Sequence, residues 1–159
     1  MAVITSPVTV SASNTLSPAL EAPPLSVQAL APEVIVKTPR EWIIYYSELY
    51  QVNPRLPLAI AKAESGLGGW NTDDQAIKAK NPIGTAAGLF QFLDSTFIHQ
   101  CIEKYKIAKS LAEKLDPKIQ AECAVRMMAD GGAYAHWKAS YYNWQDWDLY
   151  VGQAELIAP

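Results

Sequence analysis

The chain has 159 residues, half of them hydrophobic and 18% charged, with a formal net charge of −3. That length supports one domain with its own core, and the near-neutral balance lacks the basic footprint of a nucleic-acid binder. No apolar run reaches the roughly 18 residues a transmembrane helix needs, and Met1–Leu20 has neither the basic start nor the unbroken apolar stretch of a signal peptide.

Residues 1–38 contain no aromatic and no glycine, but five of the eleven prolines. Such a segment can bury little, so it reads as a flexible, Pro/Ser/Thr-rich arm. A plain linker or tail is its simplest role, and a docking role has no motif behind it. The folded domain is expected over residues 39–159. Thr38, Pro39 and Glu41 carry the marks of a helix start: a capping hydroxyl, a proline at the first helical position and a capping-box acid. Trp42, Ile43, Tyr45, Tyr46 and Leu49 follow at helical spacing, and Asn53-Pro54 ends the run. Leu56 to Glu64 reads as a second, apolar helix closed by Ser65-Gly66. From Trp70 to about Gly88 the chain is turn-prone, and a loop of that length inside a compact domain tends to be functional.

Asp94-Ser95-Thr96 is placed to cap a helix through Phe97, Ile98, Cys101, Ile102 and Tyr105. Ser110 starts a short helix over Leu111 to Leu115. Asp116-Pro117 caps another that carries Ile119, Cys123, Ala124, Met127 and Met128 and stops at Gly131-Gly132. Strand-like alternation is nearly absent. The expected fold is mainly α, a helical bundle around a cleft with at most a small hairpin within residues 66–92.

Cys101 and Cys123 are the only cysteines. Both fall among apolar helical positions, which favours two small buried hydrophobes over a bridge, although one bridge would suit an exported protein. His99 and His136 belong to no ligand-spaced cluster, so no metal is expected. No phosphate-binding glycine loop appears, and no cofactor is expected.

Glu64 is the residue with chemistry to offer. It ends an apolar helix, where partial desolvation and the negative end of the helix dipole both disfavour its charge. Each effect raises its pKa, as a general acid requires near neutral pH. The segment Ala63-Glu64-Ser65-Gly66, followed by Gly88-Leu89-Phe90-Gln91-Phe92, resembles the paired signature of the soluble lytic transglycosylases. These belong with goose-type lysozyme to the lysozyme-like superfamily. Asn81-Pro82-Ile83-Gly84 resembles the Ser-Pro-x-Gly stretch between the two motifs. The resemblance is strongest over about residues 40–105. Glu-Ser-Gly with a following Trp is shared with resuscitation-promoting factors, and Trp137-Lys138-Ala139-Ser140 resembles the tail of small lysozyme-like cell-wall hydrolases.

The resemblance implies a lysozyme-like fold with Glu64 as the catalytic acid/base on peptidoglycan glycan strands. It would act at the bond between N-acetylmuramic acid and N-acetylglucosamine and leave 1,6-anhydromuramyl ends. Gln91 matches the family Gln that contacts the sugar, Ser65 is the Ser of the Glu-Ser pair, and Asn81 stands where many relatives have Ser; all three are expected at the substrate. Tyr141-Tyr142-Asn143 partly matches the family's Ala-Tyr-Asn-x-Gly, with Tyr142 as the cleft candidate, but Trp144 stands where a small residue is usual. Trp70, on the loop beside Glu64, is the candidate for stacking on a sugar face, and Trp137, Trp144 and Trp147 are expected to pack. A hydrolytic muramidase would need a second carboxylate; Asp73 and Asp74 are the nearest on the chain, with solvated turn positions as their plainer reading. A non-catalytic peptidoglycan-binding or structural module of a larger cell-wall-associated or phage assembly, joined through residues 1–38, is also compatible with the sequence, as is chitin in place of peptidoglycan as the substrate. The expected location is extracytoplasmic or at the cell wall.

Overall fold

The structure, a computed structural model, describes residues 36–147. The arm expected over residues 1–38 lies outside them except for its last three residues. The described residues are mainly helical, and no helix among them is long and apolar enough to cross a membrane.

Helix α1 (Pro39–Leu49) starts as its local chemistry dictates. The Thr38 hydroxyl accepts from the Glu41 amide, the Glu41 carboxylate accepts from the Thr38 amide, and Pro39 opens the first turn. The apolar stripe is only partly inward: Ile43 and Tyr46 are buried, whereas Tyr45 and Leu49 are exposed. Helix α2 (Arg55–Ser65) buries Pro57, Ile60, Ala61 and Ser65 and ends at Gly66, whose left-handed φ of 76° closes the last turn.

The stretch after α2 is less irregular than its composition suggests. Thr72 and Gln75 form a second capping box, and a short helix α3 (Asp73–Ile77) follows. Five residues are too few for a readable apolar period, so this helix is marked only by its cap. The hairpin expectation is met by isolated antiparallel bridges, Lys80 with Ala87 and Ala87 with Phe92, in place of a ladder.

Helix α4 (Asp94–Thr96) runs directly into a π-helical segment, Phe97–Lys104. Asp94 is not its cap, contrary to expectation. The cap position falls on Leu93; the Asp94 amide donates to the Thr85 hydroxyl, and its carboxylate meets Lys114 at 2.6 Å. Lys114, on a 3₁₀ turn (Leu111–Leu115) begun by Ser110, is buried and also donates to the Thr85 carbonyl. This pair ties the 3₁₀ turn to the end of the loop that carries Gln91.

Helix α5 (Pro117–Ala129) is capped by the Asp116 carboxylate, which accepts from the Lys118 and Ile119 amides. It packs chiefly along α1 and supplies the centre of the core through Ala121, Cys123, Ala124, Val125 and Met127. Cys101 and Cys123 are fully buried, as expected of small hydrophobes, but they are joined by a disulfide. The expectation of two free thiols is corrected. Sequence spacing does not reveal that the π-helical segment folds back on α5 and brings the two Cα atoms to 5.5 Å.

The chain closes with α6 (Ala133–Trp137), a 3₁₀ turn (Lys138–Ser140) and α7 (Tyr141–Trp144). Trp137 and Trp144 are buried and Trp147 packs against the core, as expected. The Trp137 indole donates to the Phe90 carbonyl at 2.9 Å, which fastens α6 to the Gly88–Phe92 motif. Helix α7 packs against α2, and that contact builds the site.

Candidate active site

Glu64 lies in the last turn of α2, half-buried. Burial raises its pKa above the usual carboxylate range, opposed by a hydrogen bond from Ser140. The Ser140 hydroxyl donates to Glu64 Oε1 at 2.5 Å and accepts from Trp144 Nε1 at 3.1 Å. It also lies 3.2 Å from the Trp137 carbonyl, to which it can donate instead. One hydroxyl hydrogen thus has two acceptors, one of which is Glu64. Sequence reasoning gives Ser140 no role. It stands in the Trp137–Ser140 segment, but its contact with Glu64 spans 76 positions of chain and is purely tertiary.

The turn after Glu64 is built around Gly66 and Trp70. A Cβ at Gly66 would lie 2.6 Å from Trp70 Nε1, so glycine is required both for the backbone angle and for the indole's seat. Asn71 holds the same turn from the other side, its amide donating to the Ser65 carbonyl at 2.7 Å. On the sequence Asn71 is one turn-prone residue among several, and nothing local marks this contact.

A cleft of about 790 Å³ opens beside this turn. Trp70 and Tyr142 both line it, 70% and 83% exposed respectively. Glu64 itself is not on its wall. Its chain neighbours Ala63 and Leu67 are, and so is Trp144, which reaches Glu64 through Ser140. Glu64 therefore adjoins the cleft at the end of α2, where Ser140 meets it.

The other candidates are placed differently. Ser65 is buried, and its hydroxyl donates to the Ala61 carbonyl at 2.8 Å, so it braces the end of α2. Asn81 is exposed and its side chain accepts from the Ile83 amide in a local turn away from the cleft lining. Gln91 has φ of 48°, and its side-chain amide donates to the carbonyls of Ala79 and Gly88 at 3.1 and 3.0 Å. Its two side-chain N–H donors are thereby committed to the loop. Gly88, with φ of 82°, abuts buried Gln120 so closely that a Cβ would lie 2.0 Å from its amide nitrogen. Asp73 and Asp74 open α3 in exposed positions, outside the cleft lining. Among the described residues no group of three or more His, Cys, Asp or Glu could hold a metal ion.

A family model, transglycosylase SLT domain, matches residues 41–143, about two thirds of the chain. The chain belongs to the transglycosylase SLT domain family. The match runs from the first turn of α1 into α7 and so takes in Glu64, the Gly88–Phe92 motif and Ser140. The mainly helical fold is that of a lysozyme-like SLT domain, and membership implies action on peptidoglycan of the lytic-transglycosylase type. Nothing in the match extends to the resuscitation-promoting factors. No curated protein and no solved structure matches the chain.

Proposed function

We propose that this SLT domain is a peptidoglycan lytic transglycosylase with Glu64 as its single acid/base. The observation that carries the reading is the setting of Glu64: a half-buried carboxyl with raised pKa, held by one neutral hydroxyl, beside a cleft walled by Trp70 and Tyr142. Glu64 enters the reaction as the acid. It gives its proton to the glycosidic oxygen as the bond from the muramyl C1 breaks, releasing the N-acetylglucosamine 4-hydroxyl. The resulting carboxylate takes the proton of the muramyl 6-hydroxyl as that oxygen closes on C1. The product is a 1,6-anhydro ring, no water is consumed, and Glu64 ends protonated. Trp70 serves as the flat surface for a sugar ring. Ser65 and Gln91 act by holding the α2 turn and the loop.

A hydrolytic muramidase is the second reading, and Asp146 is what favours it. It is the one carboxylate on the cleft wall among the described residues, a position that Asp73 and Asp74 do not share. Digestion of purified peptidoglycan, read by mass spectrometry, decides between them. Anhydro-muropeptides are expected; reducing muramyl ends without them would make the protein a muramidase. The buried disulfide suits an oxidising, extracytoplasmic setting, where the substrate lies. The span 1–38 remains a proposed arm, with the glycosidase domain over 39–159.

Ser140 is the positioning partner of Glu64 in this scheme. With Glu64 ionised, the serine hydrogen points to the carboxylate; with Glu64 protonated, the acid proton can point to the serine oxygen while the serine donates to Trp137. Both states of an acid/base that must cycle are thus supported. Ser140→Ala is expected to remove the one interaction that lowers the Glu64 pKa. That hydrogen bond favours the charged carboxylate, so without it the basic limb of the kcat/KM profile should move to higher pH, with activity down about tenfold. An unshifted limb would remove Ser140 from the scheme.

A further inference from the structure

The cleft beside Glu64 has a charge that the chain as a whole does not share. The protein is net acidic, at −3, yet Arg40, Arg55 and Lys62 all line the cleft and Asp146 is the only acid there among the described residues. None of the three cations forms an ion pair among the described residues. Arg55 and Lys62 lie seven positions apart on α2, two turns along the same face, or about 10 Å. Both precede Glu64 on that helix. The Lys62 stem packs on Gly69, since a Cβ there would meet Lys62 Cε at 3.3 Å, and Arg40 Nη1 would lie 3.1 Å from a Cβ at Gly68. Two of the cations therefore rest against the turn that presents Trp70, and the third continues the row along the helix.

We infer that Arg40, Arg55 and Lys62 form a carboxylate-binding wall that recognises the acidic groups of a peptidoglycan strand. This deepens the proposed function and rests on it. A sugar polymer built only of N-acetylglucosamine has no charge for such a wall to meet. A peptidoglycan strand has one at every muramyl unit, either the lactyl carboxylate or, when a peptide is attached, that peptide's acidic groups. Aromatic rings along the same cleft would take the sugar faces common to both polymers. The cations would then separate peptidoglycan from chitin, which the sugar contacts alone cannot do. Exposed pairs of this kind contribute modestly and are screened by salt. Their combined effect is expected to be about tenfold in affinity, and strongly ionic-strength dependent.

The test uses binding and not turnover, so that it stands apart from the catalytic reading. The full chain carrying Glu64→Gln is compared with the same chain carrying Arg55→Gln and Lys62→Gln in addition, on three polymers. These are intact peptidoglycan, peptidoglycan stripped of its peptides by an amidase, and chitin. The preference for intact peptidoglycan over chitin should fall about tenfold in the triple variant, and its dependence on salt should flatten. Arg40→Gln on α1 provides an independent variant with the same expected direction, should the α2 pair disturb folding. A loss on intact peptidoglycan alone assigns the wall to peptide carboxylates, and a loss on the stripped strand as well shows that it also takes the freed lactyl carboxylate; either supports the inference. An unchanged preference, a salt-insensitive one, or no binding to any of the three overturns it. If charge-dependent binding holds while the wild type produces no anhydro or reducing ends, the catalytic proposal fails and the wall stands.

Discussion

Glu64→Gln is expected to reduce peptidoglycan cleavage by a thousandfold or more, roughly the upper range for loss of general acid/base catalysis, in a protein that remains folded. Gln keeps the shape and can still pair with Ser140, but has no transferable proton. Stability provides the control, and its sign is fixed by the site. Burial raises the Glu64 pKa in the folded chain, so the folded state holds that proton more tightly than the unfolded one. Glu64 therefore contributes stability that is fully present below its unfolded pKa and is lost as pH rises through the higher folded value. Removing the carboxyl removes that loss. Near neutral pH the variant should melt at or above the wild-type temperature, and the gap should narrow or reverse as pH falls below the carboxylate range. Thermal melts across this interval, run beside a cleavage assay, check both halves. Cleavage near the wild-type rate would end the assignment of Glu64. A variant that melts far below wild type at neutral pH would make Glu64 a structural residue.

The parts of this fold that can be read from the sequence are those set by neighbours on the chain. Thr38 with Glu41, Asp116 with Pro117, and Gly66 after an apolar run each act within a turn of backbone, and each helix end falls where its chemistry puts it. Glu64 is legible for the same reason, since its position at the end of α2 is local and its burial follows from the apolar residues before it. Asp94 escapes a local reading because its amide and carboxylate find distant partners, Thr85 and Lys114, in place of its own helix. The π-helical register of Phe97–Lys104 is a matter of backbone pairing, and Phe97, Ile98, Cys101 and Ile102 fit ordinary helical spacing equally well. The site divides in the same way. Ser65 and Gln91 stand out by motif, yet their side chains are taken up by backbone carbonyls, that of Ala61 one helical turn back for Ser65 and those of Gly88 and the more distant Ala79 for Gln91. Ser140 and Asp146 reach the site through α7 packing on α2, and no local pattern announces either.

The disulfide carries the largest expected effect on stability. Cys101 and Cys123 enclose a loop that spans 22 positions, and tethering it restricts the unfolded chain more than the folded one, where the two helices already meet. The chain-entropy estimate for a loop of that size is about 3 kcal/mol. For a domain of this length that corresponds to about 10 °C in Tm. Replacing both residues by Ala keeps the site apolar, so the loss reports mainly the cross-link and a small change in packing. The expected result is a drop of that size in the double variant, reproduced in the wild type by a reducing agent once unfolding has exposed the bond. The activity of the folded double variant should change little by comparison, because the bridge joins the π-helical segment to α5, away from the α2–α7 contact that holds Glu64. A double variant as stable as the wild type, with or without reductant, would show that packing alone secures this core. A folded double variant without activity would show instead that the bridge sets the geometry of the site.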